Sequence, residues 1–189
     1  MAENIVFLGI KHCGKSTQGR LLASRLQWDF LDTDEMLEQS YQHQYNCTAA
    51  EAAPRAIMQK HGEGFFRRFE AAVIRDFLSE KRQTKAVIAL GGGVPCNDFL
   101  SIQELKALGT LICLNTDMEV AFKRIAGGGI PPFLQGDDPH KKFMELYRKR
   151  MPRYLQIADM VIEANNESAA GILSEKIYNT LLKEKILDI

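Results

Sequence analysis

Nowhere does this sequence hold an apolar run near the roughly 18–20 residues that a membrane-spanning helix needs. Nor does it carry a surplus of either charge: Lys+Arg and Asp+Glu both total 24. A chain with no basic excess lacks the electrostatic footprint of a nucleic-acid binder. Neither a membrane nor nucleic acid is therefore expected as a partner, although a local basic pocket for a small anion remains open. Cysteine is sparse and scattered, at Cys13, Cys47, Cys96 and Cys113, with no C-x-x-C pair. That spacing argues against structural zinc and a disulfide framework, and for reduced thiols in a cytoplasmic protein. The short apolar run Ile5–Leu8 follows the acidic Glu3, unlike a signal peptide. Internal repeats and low-complexity segments are missing too.

What is present is an ordinary globular composition, 46% hydrophobic and 25% charged over 189 residues. One domain spanning 1–189 is expected, with room for a small mobile excursion. Short apolar runs at Ile5–Leu8, Phe30–Leu31, Ala86–Leu90, Leu111–Leu114 and Met160–Ile162 suit strands buried on both faces. Between them lie helical patterns at Lys15–Leu26, Asp34–Gln42, Pro54–Lys81, Phe99–Leu108, Met118–Ile125, Pro139–Gln156 and Glu167–Lys185. Asn165 or Ser168 offers a cap for the last. Such alternation predicts an α/β fold, a parallel sheet covered by helices on both sides with ligands at the carboxyl ends of its strands. Two stretches break the pattern. Residues 43–53, HQYNCTAAEAA, are small and polar and read as a loop or loose turn, in part an insertion. Residues 126–138, AGGGIPPFLQGDD, read as a flap over a site, the alternative being a passive surface loop.

After the first strand, Gly9-Ile10-Lys11-His12-Cys13-Gly14-Lys15-Ser16 matches G-x-x-x-x-G-K-[ST] in full. Glycines let the backbone N–H groups close on phosphate oxygens, and the helix that follows adds its positive end. Lys15 is placed to reach the β- and γ-phosphates and the Ser16 hydroxyl to hold Mg²⁺, with Thr17 next in line. ATP is the expected nucleotide. Lys11 and His12 add titratable groups to the loop, unless both face solvent. Cys13, at a helix N-terminus, is expected to be a reactive thiol whose modification blocks nucleotide binding.

The second strand runs into Asp32-Thr33-Asp34, two carboxylates that can serve a metal shell and a hydroxyl nucleophile, or simply cap a helix. Further on stand Gly62-Glu63-Gly64-Phe65-Phe66-Arg67-Arg68-Phe69-Glu70 and a strand ending in Gly91-Gly92-Gly93. With L-Q-G-D-D-P after the flap and R-x-P-x-Y-x-x-x-A-D near the end, this series resembles the shikimate kinase family from residue 5 to about 163. The phosphate loop is common to many nucleotide enzymes; D-T-D, F-R-x-x-E and G-G-G together are far more specific.

The resemblance implies a P-loop, nucleoside-monophosphate-kinase-like fold with a five-stranded parallel sheet in order 2-3-1-4-5. It implies ATP- and Mg²⁺-dependent phosphorylation of the 3-hydroxyl of shikimate, a precursor of aromatic amino acids, by a monomer. Asp34 would act as base on the reacting hydroxyl and Asp32 would lie in the Mg²⁺ shell. Arg67 and Arg150 would bind the acceptor carboxylate, Gly91, Gly92 and Gly93 would line its hydroxyls, Phe66 would pack on its ring, and Arg124 would stack on adenine. The acceptor-binding region would span about 33–70 and the lid about 126–138.

Three departures stand out. The family's lid arginine is replaced by Pro131, the acidic segment before G-E-x-x-F-R reads Pro54-Arg55-Ala56-Ile57, and Gln156 stands where a glutamate often follows the tyrosine. The missing charge could come from Lys11, His12, Lys141 or Lys142. Alternatively the acceptor is another hydroxylated acid, such as a gluconate-like sugar acid, or the protein binds ATP without transferring phosphate.

Overall fold

A computed structural model describes residues 4–80, 85–165 and 170–187. Its centre is a parallel sheet of five strands: β1 (Ile5–Leu8), β2 (Asp29–Asp32), β3 (Ala86–Ala89), β4 (Thr110–Asn115) and β5 (Met160–Glu163). Their order is β2-β3-β1-β4-β5, as predicted. Ile5 pairs with Val87 on one side and Thr110 on the other. β1 and β3 are buried at every position, as unbroken apolar strands require when helices cover both faces. The sequence expectation of two-sided burial fails at the edges. β2 exposes Asp29 and only half-buries the rest, and β5 exposes Val161 and Glu163, because each has a neighbour on one side only.

The helices are α1 (Lys15–Leu26), α2 (Thr33–Tyr45), α3 (Ala49–Ala52), α4 (Pro54–His61), α5 (Glu63–Ser79), α6 (Ile102–Ala107), α7 (Met118–Gly127), α8 (Pro139–Ile157) and α9 (Ala170–Lys183). The single helix predicted over Pro54–Lys81 is two, with Lys81 outside the described residues. The break falls at Gly62, whose φ of 82° and ψ of 166° leave the helical region, a conformation cheap only for glycine.

The stretch 43–53 is not a loop. α2 runs to Tyr45, Asn46 ends it in the left-handed conformation, and Thr48 opens α3. Thr48 and Glu51 form a reciprocal capping box, satisfying two amide donors that the helix start would leave free. Ser101 and Glu104 repeat the device at α6, so that helix starts at Ile102 rather than Phe99. Asn165 accepts a hydrogen bond from the Asp117 backbone N–H instead of capping α9; Ser168 lies outside the described residues.

Two apolar clusters hold the chain together. The larger wraps the sheet, with Phe7, Leu8, Phe143 and Tyr154 fully buried. The smaller joins α2, α3, α4 and α5 through Leu37, Tyr41, Ala52, Ile57 and Phe66. This second cluster shapes one wall of the site.

Candidate active site

All five strands point their carboxyl ends the same way, and a cavity of about 850 Å³ opens there. Lys11, His12, Gly14, Lys15, Ser16 and Thr17 of the phosphate loop line one end. Asp34, Phe66, Arg67, Gly91, Gly92, Gly93 and Arg150 line the other, with Asp32 between. Nearly every residue singled out in the sequence thus converges on one space.

At the loop end, Lys15 is almost wholly buried and donates to the carbonyls of Gly9 (3.1 Å) and Ile10 (3.0 Å). Those bonds hold its ammonium inside the loop. Ser16 Oγ donates to Asp32 Oδ2 at 2.7 Å, so a hydroxyl and a carboxylate oxygen stand side by side. Two hard oxygen donors next to a phosphate loop suit Mg²⁺, which completes its shell with phosphate and water oxygens. Among the described residues no group of three His, Cys, Asp or Glu side chains could hold a metal ion.

Two loop expectations need correction. Cys13 is fully buried, its Sγ 3.7 Å from Lys15 Nζ, rather than an accessible thiol facing ligand. Its side chain does not reach the cavity lining, and Cys47 and Cys96 are the less buried thiols. Gly9 also lies beneath the cavity lining, where a Cβ would come 2.8 Å from both Cys13 Sγ and Leu114 O. His12 adopts a left-handed backbone (φ 63°), unusual for a residue with a side chain. Partial burial, then the charges of Lys11 and Lys15, lower its pKa.

The opposite wall depends on close packing between side chains and the triple glycine. Asp32 caps α2 by accepting from the Asp34 N–H at 3.0 Å, and Asp34 in the first helical turn faces Gly91. A Cβ on Gly91 would lie 2.3 Å from Asp34 Oδ1, and one on Gly93 would lie 2.2 Å from Arg67 Nη1. A side chain at either position would force Asp34 or Arg67 out of its present place. The Gly91 N–H donates to Thr33 Oγ1 at 2.7 Å, tying the glycine run to the same helix start. Burial first, and then Asp32, raise the Asp34 pKa, with Lys15, Lys11 and Arg67 opposing. A carboxylate whose affinity for a proton is raised in a cleft suits a general base.

Arg67 Nη1 donates to Glu70 Oε2 at 3.0 Å, and its Nε lies 3.7 Å from Glu63. Glu70 is buried and its carboxyl is pushed up by that burial, against the pull of Arg67 and Asn97. Asn97 Nδ2 donates to both Glu70 Oε2 (2.9 Å) and the Arg67 carbonyl (2.8 Å). Glu70 was part of a motif without a role; Asn97 carried no signal at all, since its work depends on a fold that brings β3's following loop to α5. Arg150, in α8, lies by Gly92, whose carbonyl accepts from Tyr154 Oη at 2.5 Å. Arg55 and Met58 of α4 also line the cavity and were missed. Arg124 is not part of this lining. It lies on α7, with Nη2 donating to the Ala164 carbonyl at 3.1 Å.

The segment 126–138, expected to be a lid, is partly anchored. α7 extends to Gly127, and a 3-10 turn at Pro132–Leu134 buries Leu134 in the main core. Pro131 and Phe133 face the cavity. Of the four lysine and histidine candidates for a replacement charge, Lys142 donates to the Gln135 carbonyl at 2.6 Å and Lys141 lies outside the cavity lining.

A parallel sheet with a P-loop at its centre and one cleft holding both the loop and an acidic-and-arginine wall defines a nucleotide-dependent phosphotransferase for a small acceptor. A family model described as shikimate kinase matches residues 11–184. A shikimate kinase from Thermodesulfovibrio yellowstonii is 35% identical over 182 residues, covering 96% of this chain and 94% of the relative. One from Caldanaerobacter subterraneus subsp. tengcongensis is 33% identical over 175 residues, covering 93% and 94%. Among solved structures, shikimate kinase from Acinetobacter baumannii in complex with shikimate is similar at a TM-score of 0.79 and 32% identity, covering 99% of this chain and 97% of that one. The chain belongs to the shikimate kinase family, with its P-loop, nucleoside-monophosphate-kinase-like fold.

Proposed function

We propose that this protein transfers the γ-phosphoryl group of ATP to the 3-hydroxyl of shikimate, giving shikimate 3-phosphate. The observation that carries the reading is the pairing of Asp34 and Arg67 on one glycine run, across a single cavity from the phosphate loop. Family membership and the shikimate-bound relative from Acinetobacter baumannii support it.

In this reading Arg67 and Arg150 hold the acceptor carboxylate, because forked guanidinium groups fix a planar anion's orientation. Phe66 packs on the ring, and Gly91–Gly93 admit its hydroxyls to the backbone. Residues 33–70 form the acceptor-binding region and 126–138 the lid. Asp34 accepts the hydroxyl proton while the hydroxyl oxygen bonds to the γ-phosphorus and the bridge to the β-phosphate breaks, releasing ADP. Ser16 and Asp32 would hold Mg²⁺, which neutralises phosphate charge when bound. Lys15 binds the β- and γ-phosphates, and Arg124 stacks on adenine from outside the cavity. The protein works as a monomer in the cytoplasm, on precursors of aromatic amino acids.

A coupled assay of ADP release with ATP, Mg²⁺ and shikimate tests the reading. Shikimate-dependent turnover is expected, with Arg67→Ala raising KM for shikimate at least tenfold while KM for ATP stays within about threefold. Turnover with a gluconate-like acid and not with shikimate, or none with any acid, would overturn it.

A further inference from the structure

Phosphoryl transfer spreads negative charge over the three equatorial oxygens of the group in flight, and cations must meet it there. In this chain the lid cannot supply one, since residues 126–138 contain neither lysine nor arginine. Of the other cations of the cavity, Arg55 stands on α4, among the helices α2–α5 that wall the site, and not on the phosphate loop; the rest are engaged. Lys15 is held by two carbonyls of its own loop, Arg67 by Glu70, and Arg150 lies beside Gly92 and Tyr154 at the acceptor wall. His12 holds a proton less readily than a free imidazole, because of partial burial and the charges of Lys11 and Lys15.

Lys11 differs. It is exposed, lines the cavity, and rests its ammonium 5.4 Å from the centroid of the Phe133 ring, on the lid. Among the described residues it forms no ion pair. A cation over an exposed ring gains little, so a phosphate group readily draws it away. Its charge is also felt at Asp34, where with Lys15 and Arg67 it opposes the rise in carboxyl pKa caused chiefly by burial. It therefore stands within electrostatic reach of both the loop that binds phosphate and the residue assigned as base.

We propose that Lys11 is a catalytic residue: its ammonium leaves Phe133 and meets the equatorial oxygens of the γ-phosphoryl group during transfer, supplying from the phosphate loop the charge that the lid lacks. No atom is exchanged in this step; the lysine stays protonated and acts by charge alone. The proposal rests on the kinase reading above, but not on shikimate being the acceptor.

Binding of a planar phosphoryl mimic separates the two. Affinity for ADP alone and for ADP with aluminium fluoride and Mg²⁺ is measured by titration calorimetry, alongside kcat with shikimate. Lys11→Met is expected to bind ADP within about threefold of the parent but to bind ADP–aluminium fluoride on the order of 10²-fold more weakly. Its kcat should fall by a similar factor at nearly constant KM for ATP. Lys11→Arg should retain most of the affinity for the mimic. Placing the charge on the lid, in Lys11→Met combined with Phe133→Arg, should regain at least tenfold. Equal loss of ADP and of the mimic in Lys11→Met, or no loss of either, would overturn the proposal. So would an equally large loss in Phe133→Ala, because the ring contact rather than the charge would then be what matters. If the parent fails to phosphorylate shikimate yet binds the mimic in a Lys11-dependent way, Lys11 keeps its role and the acceptor assignment falls.

Discussion

At the loop end of the cavity one contiguous segment, Lys11–Thr17, supplies the lining, whereas at the other end Asp34, Arg67, Gly91–Gly93 and Arg150 arrive from four separate segments. The first is a backbone device fixed by local geometry. The second is a side-chain device fixed by tertiary packing: Asp32 and Thr33 set the start of α2, the triple glycine leaves space, and buried Glu70 and Asn97 aim Arg67. The contrast teaches where each end is vulnerable. A change in the loop damages nucleotide handling directly; a change at the far wall acts through misplacement of a charged group.

The largest effect should come from Asp34→Asn, with kcat lowered on the order of 10²–10⁴ as a positioned base is lost. The same change is expected to stabilise the ligand-free protein. Burial and Asp32 raise the Asp34 pKa above its unfolded value, so protonation favours the fold. That contribution is complete below the unfolded value, about pH 4, and is lost as pH rises through the folded-state value. Asparagine never ionises, so the variant should melt higher than the parent at pH 7, by about 2–4 °C for each kcal/mol relieved, with the gap closing toward pH 4. Thermal scans across that range check it; a variant melting lower at pH 7 would contradict the burial argument.

Gly93→Ala sharpens the comparison next. Its Cβ cannot coexist with the present position of Arg67, and a misplacement of about 1 Å can cost on the order of 10²-fold. Shikimate kcat/KM should fall by that order while ADP affinity, read by calorimetry, holds. A loss confined to the nucleotide would break the division of the cavity into two ends.

Smaller effects separate scaffold from site. Asn97→Ala strips hydrogen bonds from the Arg67 carbonyl and buried Glu70, and should cost about 1–3 kcal/mol in denaturant unfolding, with KM for shikimate rising as Arg67 loosens. Thr48→Ala removes the cap of α3 and should cost about 1 kcal/mol with kinetics unchanged.

The two ends also differ in how far the sequence discloses them. The loop was legible because strand, loop, glycines, lysine and serine are contiguous, but the inward turn of Cys13 and the place of Gly9 beneath the lining escaped notice; burial within a loop is decided by the strand behind it, here near Leu114. At the far wall the motif residues were legible through their resemblance to a family, but the support from Asn97 and the cavity-facing Arg55 and Met58 were not, since each depends on which helix faces the cleft. The capping box at Thr48 was readable from T-A-A-E, yet small polar composition suggested a loop. The lid's contact with Lys11 through Phe133 follows from neither segment alone, because residues 11 and 133 meet only once α7 and the sheet are in place.

Phosphorus NMR of one mixture tests the central claim, that both ends serve one transfer. With ATP, Mg²⁺ and shikimate, a new phosphomonoester signal should grow as the γ-phosphate signal of ATP declines. Asp34→Asn, still binding ATP, should leave the spectrum nearly static. An unchanged γ-phosphate signal in the parent with shikimate present, or an equal rate of decline in the variant, would contradict the account.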